Sequence, residues 1–363
     1  MTVQPPEPLQ PVNLAVVGCG VIATPYAQGM QSYPALRLYG CFDVDPERAR
    51  AYAEQQGCLA FESLEALLAD PAVEIVVNLT VLPAHYAVTR QALEAGKHVF
   101  SEKPLASSSA QAQELVTLAR TLGVRLACAP VTILGGAQQR ALQELRAGRI
   151  GPVRVIYAEA NHGRIESWHP VPQSFYGVGP LRDVGVYPLG IVTSIFGPAS
   201  RVWAYGQAVK PQRVTKRGQP FEVSENDFYV ALIEFASGPV LRLTASFYTT
   251  DKGKQTGIEF QGDDGQLYLS SWMAPDAALE VAQFGAVYEP LPDYTPAPQG
   301  WNWALALDDL ARSLRENRPH RVPGEQAAHI VEILEAAHTS IREGKKVEVH
   351  STFPAVAPAL GQP

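Results

Sequence analysis

Residues 18–23 read Gly18-Cys19-Gly20-Val21-Ile22-Ala23, a G-x-G-x-x-A pattern, and Asp43 stands twenty-three residues after Gly20. At a strand–helix turn the first glycine permits a tight bend and the second lets backbone approach a pyrophosphate. The small third residue lets helix and strand pack closely. An acid at that spacing suits a ribose 2′-hydroxyl and repels a 2′-phosphate, and no arginine or lysine follows it before Arg48. The pattern therefore implies NAD in preference to NADP. Glu102 and Lys103 sit side by side after the apolar run His98-Val99-Phe100-Ser101 and before Pro104. An ammonium there is a mobile point charge whose pKa falls on burial or beside another cation. Asp183 and Tyr187 are four residues apart in LRDVGVYPLG, so one helix over that stretch would point carboxylate and phenol the same way. The stretch NHGRIESWHP, 161–170, gathers His162, Arg164, Glu166, Trp168 and His169. Polar groups beside an aromatic plate suit a sugar ring. Six residues separate its two histidines and no cysteine accompanies them, so no metal is expected.

The elements that must position these residues are legible upstream of about residue 130. Apolar runs of four to seven residues at 13–17, 36–42, 74–80, 98–101 and 125–129 are separated by helical stretches, several of ten or more residues. That rhythm means parallel strands with right-handed crossovers, a doubly wound α/β sheet. Asp45 reads as an N-cap ahead of Pro46, Ser63 starts a further helix, and Gly57, Gly96 and Gly123 read as helix stops. Ligands of such sheets lie beyond the carboxyl ends of the strands, and Gly18, Gly20, Asp43, Thr80, Glu102 and Lys103 all fall there. After residue 150 the pattern changes to alternating strands at 153–161, 228–235, 240–248, 257–261 and 266–270, with hairpin breakers Ser237-Gly238-Pro239 and Gly262-Asp263-Asp264-Gly265. Two late amphipathic helices, about 303–317 and 324–343, read as closing that domain. The division expected is a dinucleotide domain over 1–130 and a substrate and oligomerisation domain over 131–363, with loose proline-containing tails at 1–12 and 351–363.

Composition narrows the class. The chain has 363 residues, 46% hydrophobic and 18% charged, which fits a folded globular protein. A net charge of -7 leaves no footprint for nucleic acid or an anionic membrane. Four cysteines with no C-x-x-C pair read as small buried apolar residues in a reducing compartment. MTVQPPEPLQP lacks the features of a secretory signal and no apolar run reaches membrane length, so the cytoplasm is expected.

These residues resemble one family. GCGVIA at 18–23, TVLPAH at 80–85, EAGKHVFSEKPLA at 94–106 and RDVGVYPLG at 182–190 are similar to the glucose–fructose oxidoreductase / inositol dehydrogenase (Gfo/Idh/MocA) family of nicotinamide-dependent enzymes. The resemblance implies a Rossmann domain followed by an α+β domain whose large, mostly antiparallel sheet mediates homodimers or homotetramers. It implies a dehydrogenase acting on a hydroxyl of a sugar, cyclitol or similar small polar molecule. Lys103 matches the lysine that touches both cofactor and substrate hydroxyl, with Glu102 steadying it or the nicotinamide end. Val21, Ile22 and Ala23 join the glycines against the cofactor; Thr80 and His85 match residues near the nicotinamide, although Val81-Leu82-Pro83 stands in place of the family's Pro-Asn. Tyr187 occupies a place more often held by histidine. A phenol, whose ordinary pKa is about 10, needs a cation to act as a base, so Lys103 and Tyr187 are expected to share the proton while Asp183 orients the hydroxyl. His162, Arg164, Trp168 and His169 match the substrate-side loop. Two alternatives stay open: a glycosidase that uses NAD for transient oxidation, and a nicotinamide-sensing regulator.

Overall fold

The computed structural model describes residues 10–250, 252–296 and 302–356, and these fall into two compact units. The first unit alternates β1 (Val12–Val17), α1 (Ala23–Met30), β2 (Leu36–Phe42), α2 (Pro46–Gln56), β3 (Leu59–Ala60), α3 (Leu64–Ala69), β4 (Ile75–Asn78), α4 (Leu82–Glu94), β5 (His98–Ser101), α5 (Ser109–Leu122) and β6 (Leu126–Cys128). Its strands form one parallel sheet in the order β3-β2-β1-β4-β5-β6, the Rossmann order with its reversal between β1 and β4. All four residues of β4 and all three of β6 are buried, as strands covered on both faces require. The helices start and stop for local reasons. Asp45 accepts from the Glu47 and Arg48 amides ahead of Pro46, Ser63 and Ser108 cap α3 and α5, and Gly57 and Gly123 end α2 and α5 in left-handed conformation.

The second unit carries α6 (Gly136–Arg146), β7 (Val153–Asn161), α7 (Gln173–Val178), α8 (Pro180–Asp183), α9 (Val186–Phe196), β8 (Ala199–Gln207), β9 (Gln212–Val214), β10 (Pro220–Glu222), β11 (Phe228–Phe235), β12 (Val240–Ser246), β13 (Gly257–Gly262), β14 (Gly265–Leu269), β15 (Leu279–Gln283) and β16 (Glu289–Pro290). After α10 (Leu305–Arg315) come α11 (Gly324–Glu343) and β17 (Val347–Glu348). Nine strands form one sheet, β16-β15-β14-β13-β7-β12-β11-β8-β17, antiparallel except where β7 runs parallel to β12. The inner residues of β11 and β12 are buried beneath α8. The outer residues form a row across the sheet by register: Trp203, Leu232, Arg242, Tyr157, Glu259, Tyr268. The short β9–β10 hairpin stands apart as its own two-stranded sheet.

One helix changes sides relative to the sequence reading. The stretch near 303–317 was expected to close the second domain, but Asn302–Gly324 belongs with the first unit. α10 buries Ala306, Leu307, Leu310 and Ala311 and packs on α1 and β2. An apolar stripe of this kind must be covered, and the sheet flank covers it. Among the described residues no helix is long and apolar enough to cross a membrane.

Candidate functional site

The glycine turn of the first unit is built by contact with the neighbouring strand end. Gly18 has φ +96, and a Cβ on it would lie 2.8 Å from the Leu79 carbonyl oxygen. A Cβ on Gly20 would meet nothing within 4 Å, so that residue faces open space. α1 opens directly after it, with no side-chain cap and no acid in its first turn. The positive end of its dipole suits an anion, and the open cradle at Gly20 fits a pyrophosphate. Ala23 is fully buried, as close helix packing requires.

Asp43, at the end of β2, is buried and tied back to this turn. Its Oδ2 accepts from the Cys19 amide at 2.8 Å, and its Oδ1 accepts from the Asp45 amide at 2.9 Å. At the end of β4, Asn78 Oδ1 accepts from the Thr80 hydroxyl at 2.6 Å. His85 is buried with Nδ1 2.7 Å from the Pro104 carbonyl and Nε2 3.0 Å from the Thr80 carbonyl. The imidazole thus links the turn after β4 to the turn after β5. Glu102 and Lys103 are half-buried in that second turn. Glu102 Oε1 accepts from the Tyr26 hydroxyl at 2.6 Å and Oε2 from the Lys103 amide at 3.0 Å. Glu102 therefore fixes the backbone that carries the lysine.

In the second unit, LRDVGVYPLG is two helices where one was expected. Asp183 ends α8 and Tyr187 lies in the first turn of α9. The Gly185 amide donates to the Pro180 carbonyl, five residues back, and a Cβ on Gly185 would lie 2.6 Å from the Leu181 carbonyl oxygen. Asp183 and Tyr187 thus stand on successive helices, on either side of the Val184-Gly185 junction. Tyr187 is buried, its ring centroid 5.1 Å from that of Trp272, whose indole N–H donates to the Glu159 carbonyl at 3.0 Å.

The loop after β7 brings its named residues together. Arg164 and Trp168 are exposed, and His162 and His169 are half-buried. The His162 and His169 rings sit edge-on to Trp168, with centroids 5.5 and 5.4 Å away. Arg164 stacks 4.6 Å over Tyr248, and His162, Arg164, Trp168, Tyr248 and Lys252 border a cleft of about 800 Å³. Glu166 turns inward, accepting from Arg213 at 2.9 Å and from the Tyr176 hydroxyl at 2.5 Å. Burial alone would push its pKa up, but these two donors hold it below the ordinary range.

Several residues at these sites carried no sequence signal. Val21, Val44 and Val81 are 95%, 90% and 72% exposed at the carboxyl ends of β1, β2 and β4. Of these, Val44 was not singled out from the sequence. Arg213 is fully buried between Glu166 and Asp227. A charged residue in a short hairpin reads as solvated, so nothing in the sequence marks it.

Comparison with known proteins places the molecule. Residues 12–129 match the model of an oxidoreductase family with an NAD-binding Rossmann fold, and residues 138–268 match that of the GFO/IDH/MocA C-terminal domain. The chain belongs to the GFO/IDH/MocA family. It is 29% identical over 331 residues to trans-1,2-dihydrobenzene-1,2-diol dehydrogenase of Macaca fascicularis, covering 90% of this chain and 96% of that one. It is 32% identical over 205 residues to dTDP-3,4-didehydro-2,6-dideoxy-alpha-D-glucose 3-reductase of Streptomyces violaceoruber, covering 54% and 58%. The solved structure of an NAD-binding oxidoreductase from Klebsiella pneumoniae shares the fold, with a TM-score of 0.84, 24% identity and coverage of 94% and 99%. This GFO/IDH/MocA protein is thus an oxidoreductase with an NAD(P)-binding Rossmann domain.

Proposed function

We propose that the protein is an NAD-dependent dehydrogenase or reductase acting on a secondary hydroxyl or carbonyl of a sugar, cyclitol or similar small polar molecule. One observation carries the reading. The helix opened by the glycine turn supplies Tyr26, which holds Glu102, which fixes the turn bearing Lys103. A lysine so tied to the dinucleotide helix, on the carboxyl edge of the same sheet, has the placement that proton transfer beside a bound nicotinamide needs.

The cofactor-side residues are Gly18, Gly20, Val21, Ile22, Ala23, Asp43, Thr80, His85, Glu102 and Lys103. Bound nicotinamide supplies the hydride acceptor or donor. Lys103 and Tyr187 share the hydroxyl proton, and Asp183 orients the hydroxyl. His162, Arg164, Trp168 and His169 receive the rest of the substrate. Asp43 favours NAD, because a buried carboxylate at the ribose end opposes a 2′-phosphate. The aromatic and aliphatic row Trp203, Leu232, Tyr157 and Tyr268 on the outer sheet face suits a second copy of the chain, as a homodimer or a homotetramer. Four unpaired cysteines accord with a cytoplasmic setting.

The test is a panel of sugars, polyols and inositols with NAD or NADP, read by absorbance of the reduced nicotinamide. It is run on the wild type and on Lys103→Ala. The reading stands if one compound class turns over and the variant still binds NAD while losing turnover. It fails if the variant turns over at the wild-type rate.

A further inference from the structure

The acid that ends β2 has a cation beside it. Arg48 Nη1 lies 3.2 Å from Asp43 Oδ1, and Arg48 Nη2 lies 3.3 Å from Asp45 Oδ2. Asp45 also caps α2, its Oδ1 accepting from the Glu47 and Arg48 amides at 3.1 and 3.3 Å. One carboxylate thus does two jobs, with one oxygen on the helix start and the other on the guanidinium. In dinucleotide folds an arginine near this acid is the group that accommodates a 2′-phosphate. Here its nitrogens are turned onto two carboxylates, so a 2′-phosphate would meet two acids and a guanidinium already engaged.

We infer that Asp45 is a second determinant of cofactor choice. It acts by holding Arg48 against Asp43, which withdraws the guanidinium from the 2′ position and keeps the Asp43 carboxylate in place for a ribose diol. The inference rests on the reading of the Asp43 end as the adenosine-ribose end. The lock is soft. Side chains 51% exposed at Arg48 and 44% at Asp45 are screened by water, so a single substitution is enough to release it.

Serine at position 45 keeps the helix cap and removes the charge. NAD and NADP are titrated separately by calorimetry into the wild type, Asp45→Ser and Asp45→Ser/Arg48→Met, with circular dichroism confirming that each folds. The wild type is expected to take NAD more tightly. Asp45→Ser is expected to shift the ratio of affinities toward NADP by about tenfold, nearly all of it through tighter NADP binding. Adding Arg48→Met is expected to abolish the shift. An unchanged ratio in Asp45→Ser overturns the inference, as does a shift that survives loss of the guanidinium. A wild type that takes up neither dinucleotide overturns the cofactor reading itself, and this assignment with it.

Discussion

The Tyr26 hydroxyl donates to Glu102 Oε1 at 2.6 Å, joining the first helix of the sheet to the turn that carries Lys103. Tyr26 is fully buried, with its ring edge-on to Phe100. Tyr26→Phe keeps the ring and leaves the carboxylate oxygen to water, since Glu102 is half-buried. The expected loss of stability is about 1 kcal/mol by urea denaturation. Turnover is expected to fall by about tenfold as the lysine turn loosens, with the Kd for NAD little changed. Unaltered kcat would show that the turn is fixed by other means.

The two glycines of the turn separate folding from binding. Gly18→Ala forces a side chain into left-handed backbone against the Leu79 carbonyl and is expected to cost about 1–3 kcal/mol. Gly20→Ala adds a methyl to open space, so stability should hold while NAD affinity falls. Paired urea and NAD titrations of both variants check this, and a Gly20→Ala variant with wild-type NAD affinity would place the pyrophosphate elsewhere.

Trp272 braces Tyr187 and is itself held by the Glu159 carbonyl. Trp272→Phe removes the N–H and leaves that carbonyl without its donor. Turnover should drop by roughly threefold to tenfold while NAD binding stays the same. Measured kcat and Kd distinguish this from a general loss of fold, which would lower both.

Acid stability should depend on His329. The imidazole is fully buried, with Nε2 accepting from the Ala199 amide at 2.9 Å, and burial pushes its pKa from 6.5 down to about 4. The unfolded chain therefore binds this proton more readily than the folded one. The contribution is complete above the unfolded value and is lost as pH falls from about 6.5 toward 4. By this linkage the wild type loses about 2 kcal/mol between pH 7 and pH 5, and His329→Gln should flatten that interval. Urea midpoints at the two pH values give the answer, and an equal slope in the variant would assign the acid sensitivity to other groups.

The first unit was readable because parallel strands covered on both faces must be apolar runs, and because Asp45, Ser63, Gly57 and Gly123 punctuate its helices by local chemistry. The large sheet was readable from alternation and hairpin breakers, which depend on neighbours two residues away. Features that depend on distant partners were not. Gly185 looks like any glycine until the Leu181 carbonyl is seen against it. The pattern of α10 shows that it needs a partner and says nothing about which unit provides one. Arg213 is buried because Asp227 and Glu166 converge on it, a circumstance its own short strand does not encode.

The return of the chain to its first unit has a consequence during synthesis. β6 is the last strand of its sheet, and its outer edge is met by the segment after α10: the Cys128 amide donates to the Val322 carbonyl, and Ala127 bridges Pro323. A nascent polypeptide that has emerged only as far as β16 still presents that edge bare, with its hydrogen-bonding groups open to another molecule. Ribosome-bound chains and premature-stop products therefore share an aggregation-prone border that the folded protein hides, and the hazard ends once the segment through Pro323 has been made.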